Sequence, residues 1–287
     1  MNTERRTSSN LDQILDQQRE TWDRFSAGWK KWDELVLNWL NPFGAVMLRH
    51  AKLIEDSNVL DVAAGTGEPG LTAATLVPSG RVTVTDISER MLAVAAENAA
   101  RRGLRNFETR VCDAGALPFS DASLDAVLCR FGFIFFPDID ATAREFARVA
   151  RPGATICAAV WSEPLKNPWA TTIMGAISRH VEMPALPPGS PGLFRCAQTG
   201  FISRVFSEAG LRDVTEEEVS CDMVHDTPQR YWEFMTDVAA PVVAGLAKAD
   251  ETTRERIRSE VLGLARQFLR DGVVRMRSTA TVIVGTR

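Results

Sequence analysis

The sequence lacks any excess of basic residues: 33 Lys and Arg stand against 37 Asp and Glu, a formal net charge of −4. Nucleic acid and anionic membrane surfaces both ask for a basic footprint, so neither is an expected partner. No stretch approaches 18 uncharged apolar residues, so no inserted membrane segment is expected. There is no C-x-x-C pair. Cys112, Cys129, Cys157, Cys196 and Cys221 are odd in number and widely spaced, which suggests neither a disulfide framework nor a metal site. The first residues, MNTERRTSSNLDQILDQQRE, are polar and without the apolar core of a signal peptide, and a reducing, cytoplasmic setting is the expectation. Internal repeats and low-complexity segments are missing. Histidine is scarce, with only His50, His180 and His225.

What is present is a chain long enough to bury a full core. Trp22, Phe25, Trp29, Trp32, Val36 and Trp39 follow a three-to-four spacing, one face of a helix or helix pair. Asn41-Pro42-Phe43-Gly44 is expected to break it, with a second helix running to Leu53. Then apolar strands alternate with helical patterns. Strands are expected at Val59–Ala63, Arg81–Thr85, Phe107–Val111, Leu124–Cys129 and Thr155–Val160, and helices at Pro69–Leu76, Glu89–Arg102 and Ala141–Ala150. Such alternation implies a parallel sheet covered on both faces. After Trp161 the reading gives a helix at Pro168–Val181, a Pro- and Gly-rich loop at Met183–Phe194, a helix at Gly200–Gly210 and a strand near Val214–Val224. Helical stretches around Tyr231–Ala247 and Thr252–Arg270 and a last strand at Ser278–Arg287 complete it.

The chemistry gathers at VLDVAAGTGEPGL, Val59–Leu71, where a strand gives way to a glycine loop. In an open α/β sheet, ligands bind outside the carboxyl ends of the strands. Gly65 and Gly67 allow a tight bend and close approach to a ligand, and Gly70 allows the next helix to pack near the strand. Taken alone, G-x-G-x-x-G is weak evidence and fits a dinucleotide or a plain turn. Three carboxylates sharpen it. Asp86 ends the second strand, where it can accept from two ribose hydroxyls, and Asp113 in CDAGALPF can receive an adenine amino group. Asp61 precedes the glycines; it would repel a pyrophosphate and attract a cation. The expected ligand therefore carries a ribose, an adenine and a cationic, phosphate-free tail, a description that S-adenosylmethionine meets.

The stretches VLDVAAGTGEPG, VTVTDISERML, VCDAGALPF, LDAVLCRFGFIFFPD and RVARPGATICAAVW are similar, in order and spacing, to the successive motifs of class I S-adenosylmethionine-dependent methyltransferases. The ubiquinone/menaquinone C-methyltransferase-like branch is the nearest look, and the resemblance covers about Val59 to Trp161. It implies a Rossmann-like α/β fold: a seven-stranded, mostly parallel sheet with an antiparallel last strand and helices on both faces. It implies S-adenosylmethionine as cofactor and contacts to it from Asp61, Ala63, Gly65, Thr66, Gly67, Asp86, Ile87, Asp113, Ala114, Arg130 and Phe131. Two positions depart from the pattern. Ala63 stands where many relatives carry glycine, and Arg130 where they often carry a small polar residue.

Residues 1–56 are expected to form a helical cap and 57–287 the methyltransferase domain, with lid segments at about 162–200 and 225–275. Phe25, Trp29 and Trp32 are core packing or a cover over the cofactor, whose sulfonium an aromatic face attracts. Trp161 and Trp169 are further candidates for contact with a small-molecule acceptor, expected to be apolar or aromatic. His180 is the histidine best placed by sequence for a general base, although methyl transfer does not require one. The expected activity is in-line transfer of a methyl group to that acceptor. An NAD-dependent oxidoreductase, or a module that binds the cofactor without turnover, is the alternative.

Overall fold

The computed structural model describes residues 2–183, 187 and 189–287, with side chains from residue 11 onward. Two long helices come first, α1 (Asn2–Lys31) and α2 (Asp33–His50). Strands β1 (Asn58–Val62), β2 (Arg81–Asp86), β3 (Phe107–Val111), β4 (Leu124–Arg130) and β5 (Ala150–Trp161) follow, with α3 (Gly70–Leu76), α4 (Glu89–Arg101) and α5 (Ile139–Val149) among them. Beyond β5 lie α6 (Pro168–His180), α7 (Phe201–Glu208), β6 (Arg212–His225), α8 (Pro228–Val238), α9 (Ala240–Leu246), α10 (Glu251–Arg266), the two-residue β7 (Leu269–Arg270) and β8 (Val273–Thr286).

The sheet order is β3-β2-β1-β4-β5-β8-β6, with β7 added on β8. Neighbours among β1 to β5 are parallel, and β8 runs antiparallel to both β5 and β6. This is the expected mostly parallel sheet with a reversed last strand. Each face is covered because the central strands supply apolar side chains to both. Val59, Val82, Val84 and Leu128 pack with Ala73 and Ala74 of α3 and Leu92 and Ala95 of α4. Leu60, Val62, Val127 and Ile156 belong to the opposite cluster, with Phe146 of α5 and Phe206 of α7. Ser88 caps α4, its hydroxyl accepting from the Met91 N–H, and Gly103 with φ 67° ends that helix as expected.

Two expectations are corrected. The chain does not break at Asn41–Gly44: α2 runs through Pro42, and the interruption falls at Trp32. An interior proline costs roughly 3 kcal/mol, but Phe43 and Met47 beside it are wholly buried. Gly44 packs against Pro69, where an added Cβ would stand in ordinary contact, 3.4 Å from the proline ring. The long helical stretches expected after His225 divide into α8, α9 and α10, and the last strand begins at Val273 rather than Ser278. The alternation in VVRMRSTA is strand-like over its whole length, with Val274, Met276 and Ser278 buried. Of the expected Met183–Phe194 loop, Pro184–Leu186 and Pro188 lie outside the described residues.

The register carries β6 past the others. Trp161, the end of β5, and Val219 of β6 both pair with Ala280, and β6 continues to His225. At about 3.3 Å per residue, β6 and β8 stand roughly 20 Å proud of the carboxyl edge. The helices α8, α9 and α10 are strung between them.

Candidate functional site

The register fixes the floor of the site. Asp61 of β1 is level with Val84 of β2 and Leu128 of β4. Asp86 and Arg130 each lie two residues further, so they stand at one level on either side of the loop that leaves β1. Strand pleating puts Asp61, Asp86 and Arg130 on the same face.

The glycine loop is held by backbone and carboxylate together. The Ala64 N–H donates to the Thr85 carbonyl at 2.9 Å, and the Gly67 N–H to the Ala64 carbonyl at 2.9 Å. Asp86 accepts from the Gly65 N–H and the Ser88 N–H, both at 2.9 Å. Burial raises the Asp86 carboxyl against these bonds, and the nearby Asp23 adds to the rise. Asp61 is wholly buried. One of its oxygens accepts from the Gly70 N–H at 2.7 Å, and Oδ1 has no partner among the described residues. Burial pushes its carboxyl up to about 8, opposed by the Gly70 bond and by Arg130. Gly70 has no room for a side chain: a Cβ would meet Val84 Cγ1 at 2.5 Å and Asp61 Oδ2 at 3.0 Å. Its place beside the strand is the one the spacing predicted.

Ala63 and Arg130, the two positions expected to depart from the resembled motifs, differ in backbone and contacts from a plain strand end. Ala63 has φ 54°, a left-handed backbone that glycine adopts freely and alanine does not. Arg130 donates from Nη1 to the Leu40 carbonyl at 3.3 Å, and burial lowers its pKa while Glu68 and Asp61 oppose that. Next to it Phe131 is also left-handed, with φ 67°; its N–H donates to the Ala159 carbonyl at 2.9 Å. Bulky residues are rare in that region. The bend lays the Phe131 ring flat on Trp161, with centroids 4.1 Å apart and planes at 10°.

Around this pair gathers an aromatic wall that sequence reading found only in part. Trp39 stacks on Trp161 at 5.6 Å, Phe43 meets both Phe131 and Trp161 edge-on at 5.6 Å, and Trp169 lies 4.9 Å from Trp161. Trp161 and Trp169 are thus brought together, both nearly buried. Trp39 and Phe43 were missed as site residues; membership of the tryptophan stripe was the signal available for Trp39.

Helix α1 lies across the same edge. The Ser88 hydroxyl, beyond β2, donates to Asp23 at 2.6 Å, while Trp22 meets Phe135, beyond β4, at 5.0 Å. Trp29 stands 6.1 Å from Trp22, and its Nε1–H is buried with no partner among the described residues. Phe25 is buried. Trp32 turns instead to α8: its Nε1–H donates to Asp237 at 2.8 Å and Arg230 sits 4.3 Å over its ring. On the β3 side, Asp113 accepts from the Gly115 N–H at 3.0 Å, beside Ala114, and Ile87 is half-buried between Asp86 and Ser88.

The histidines are not brought to this cleft. His180 ends α6 on the surface, 2.7 Å from Glu260, which Arg179 also pairs. That pairing gives it a structural partner in place of a substrate. His50 pairs with Glu217 at 2.8 Å. His225 is buried at the tip of β6 against Tyr231 and Phe234, with neither ring nitrogen partnered among the described residues. Among those residues no cluster of three or more potential metal ligands occurs, and no helix is long and apolar enough to cross a membrane.

Residues 59–153 match the family described as Methyltransferase domain. The chain is 29% identical to an uncharacterized protein of Mycobacterium tuberculosis, over 82% of its own length and 84% of that protein. It is 34% identical to the demethylmenaquinone methyltransferase of Thermus thermophilus, over 46% of this chain and 62% of that one. In fold it is similar to the YcgJ protein of Bacillus subtilis, with a TM-score of 0.55 at 18% identity over 85% of this chain and 97% of that one. A phosphoethanolamine N-methyltransferase of Haemonchus contortus, solved with S-adenosyl-L-methionine, gives 0.57 at 17% identity over 94% and 59%.

Proposed function

From a methyltransferase domain of the class I, S-adenosylmethionine-dependent type, we propose that this chain transfers a methyl group to a small, ring-bearing, largely apolar acceptor. One observation carries the reading: a cradle of loop amides and carboxylates at β1–β2 and a cluster of stacked aromatic rings at β4–β5 occupy the same carboxyl edge of the sheet. The residues fit the cofactor. Asp86 uses two of the roughly four acceptor positions of a carboxylate on Gly65 and Ser88, leaving capacity for ribose hydroxyls. Asp113, Ile87 and Ala114, on the β2–β3 side of the loop, are assigned to the adenine in this reading, and Gly65–Gly67 offer close backbone approach. The unpartnered oxygen of Asp61 suits an ammonium group and is hostile to a pyrophosphate, which weighs against a nicotinamide dinucleotide.

When bound, the cofactor supplies an electrophilic methyl on a sulfonium, and this chain's residues orient and exclude water. Phe131 and Trp161 form one wall for the acceptor ring. Residues 1–56 act as a cap, with Trp22, Phe25 and Trp29 overhead, and segments 162–200 and 225–275 act as lids. None of the three histidines reaches the cleft, so no imidazole base is assigned and the acceptor brings its own nucleophilic atom. The demethylmenaquinone methyltransferases among the relatives act, by their name, on a demethylated menaquinone, and an acceptor ring of that size agrees with an aromatic wall.

Calorimetric titration with S-adenosylmethionine tests the cofactor half. Binding by the wild type, weakened about 100-fold in Asp86→Ala, is expected; a folded wild type that binds NADH instead overturns the reading. Single-turnover transfer of labelled methyl to a quinol or phenol panel tests the rest. Binding without any transfer would leave a cofactor-holding module.

A further inference from the structure

Helix α4 reaches the site at both of its ends. At its start, Ser88 donates its N–H to Asp86 and its hydroxyl to Asp23 of α1. In its last turn stands Asn98, which is buried. The Asn98 Nδ2 donates to the Thr66 carbonyl, inside the glycine loop, at 3.0 Å. It also donates to the two oxygens of Asp33, the first residue of α2, at 3.1 and 3.3 Å. Arg101 closes the set, donating to the Asn98 Oδ1 and, at 3.4 Å, to Asp33. A side-chain amide has a donor end and an acceptor end. Here two acceptors meet the donor end and a cation meets the acceptor end, so a single orientation of Asn98 serves all three partners.

A cavity of about 450 Å³, lined among others by Lys30, Asp33, Leu37, Asn98 and Arg101, opens beside this junction. Close apolar packing therefore does not weld the start of α2 to α4 there, and the hydrogen bonds carry the connection. What they connect are the two sides of the site. Thr66 lies between Gly65 and Gly67, so the direction of its carbonyl sets the course of the loop. Asp33 begins the helix that carries Trp39, roughly 9 Å further along its axis, and then Phe43 into the aromatic cluster. We propose that Asn98 is a positioning residue that ties the glycine loop to the start of α2, so that the cofactor loop and the helix bearing Trp39 and Phe43 are set as one unit. The proposal rests on the S-adenosylmethionine reading above and deepens it. A cofactor seated on the loop steadies Thr66, and through Asn98 it steadies Asp33. By linkage, a firmly held Asp33 favours the cofactor to the same degree.

A double-mutant cycle read by calorimetry with S-adenosylmethionine tests the link. Asp33→Ala is expected to weaken binding roughly 5- to 20-fold, although Asp33 touches the loop only through Asn98. In an Asn98→Ala background the same substitution should change affinity by less than about twofold. Asp33→Asn, which keeps an oxygen for the Asn98 amide, should recover most of the loss. The Val36 N–H, which closes the first turn of α2 on the Trp32 carbonyl at 2.9 Å, gives a second readout. Saturating S-adenosylmethionine is expected to slow its hydrogen exchange by about fivefold in wild type and to leave it unchanged in Asn98→Ala. A merely structural Asn98 would lower the denaturation midpoint and move neither readout. The link is overturned if Asp33→Ala binds within about twofold of wild type, or if the losses from the two substitutions multiply in the double variant. Should Asn98→Ala not fold, Asp33→Ala and Asp33→Asn decide: equal affinities in the two overturn the link, and recovery in Asp33→Asn alone supports it. A folded wild type that does not bind S-adenosylmethionine overturns the cofactor reading itself, and the link with it.

Discussion

The two halves of the carboxyl edge are built from different materials. On the β1–β2 side the groups that matter are carboxylates and backbone amides: Asp61, Asp86, Gly65, Ser88 and Gly70. On the β4–β5 side they are rings: Phe131, Trp161, Trp39, Phe43 and Trp169. The polar half is directional, and a misplaced atom loses a hydrogen bond outright. The aromatic half is held by area and tolerates rearrangement.

The contrast can be broken first at Trp161. Trp161→Ala removes the ring on which Phe131 and Trp39 stack, and is expected to cost about 3–5 kcal/mol of stability. Chemical denaturation checks it. A loss below about 1 kcal/mol would mean that the wall is not part of the core.

His225, at the tip of the aromatic half, provides the next. Burial, with help from Arg230, lowers its pKa to about 4 from an ordinary value of 6.5. The unfolded chain then takes up the proton first. Stability is full above about pH 6.5 and falls as the pH drops toward 4, by about 3 kcal/mol over the window. Denaturation at a series of pH values should show this component vanish in His225→Phe. An identical pH profile in the variant would exclude His225 as its source.

The polar half answers to pH in the same direction, but through ligand affinity and about a higher pH. With the Asp61 carboxyl at about 8, a cation reaching it at pH 7 must displace a proton. Affinity for S-adenosylmethionine is expected to rise about tenfold from pH 7 to pH 9 and to flatten above 8. The calorimetric heat at pH 7 should depend on the ionisation enthalpy of the buffer. A flat profile would mean that the ammonium lies elsewhere.

The smallest effect belongs to Trp29. Its Nε1–H is buried without a partner among the described residues, so Trp29→Phe deletes an unsatisfied donor while keeping a ring. Stability is expected to change by less than about 1 kcal/mol, in either direction. A larger loss would show that the indole is bonded in solution.

These halves also differ in how well the sequence announced them. The polar half was legible almost residue by residue, because a glycine loop with acids at fixed strand ends is a local pattern: Asp86, Gly65, Gly70 and the Ser88 cap stand where the spacing put them. That Asp61 keeps one oxygen bare could not be read, since it depends on how Gly70 packs. The aromatic half was read as a stripe of rings with no assigned neighbours. Trp39 reaches Trp161 across more than a hundred residues, and no local spacing encodes such a contact. The helical break was misplaced for a related reason: Pro42 is punctuation locally, and tertiary burial of Phe43 and Met47 overrode it. His180 was chosen for its nearness to a loop, and Glu260, eighty residues on, decided its role.

The placement of β8 has a consequence for the order in which the molecule assembles. β6 forms no ladder with β5; it joins the sheet through β8 alone. The earlier strand can therefore join the sheet only together with the later one, and α8, α9 and α10 lie in the chain between them. The β1–β5 half can close on mostly short connections, whereas β6 and the helices that follow it wait on a pairing between distant segments, a slow step for any chain. A lesion in the middle of β8, at Val282 or Ala280, should leave the first half able to form while β6 and those helices stay unhitched.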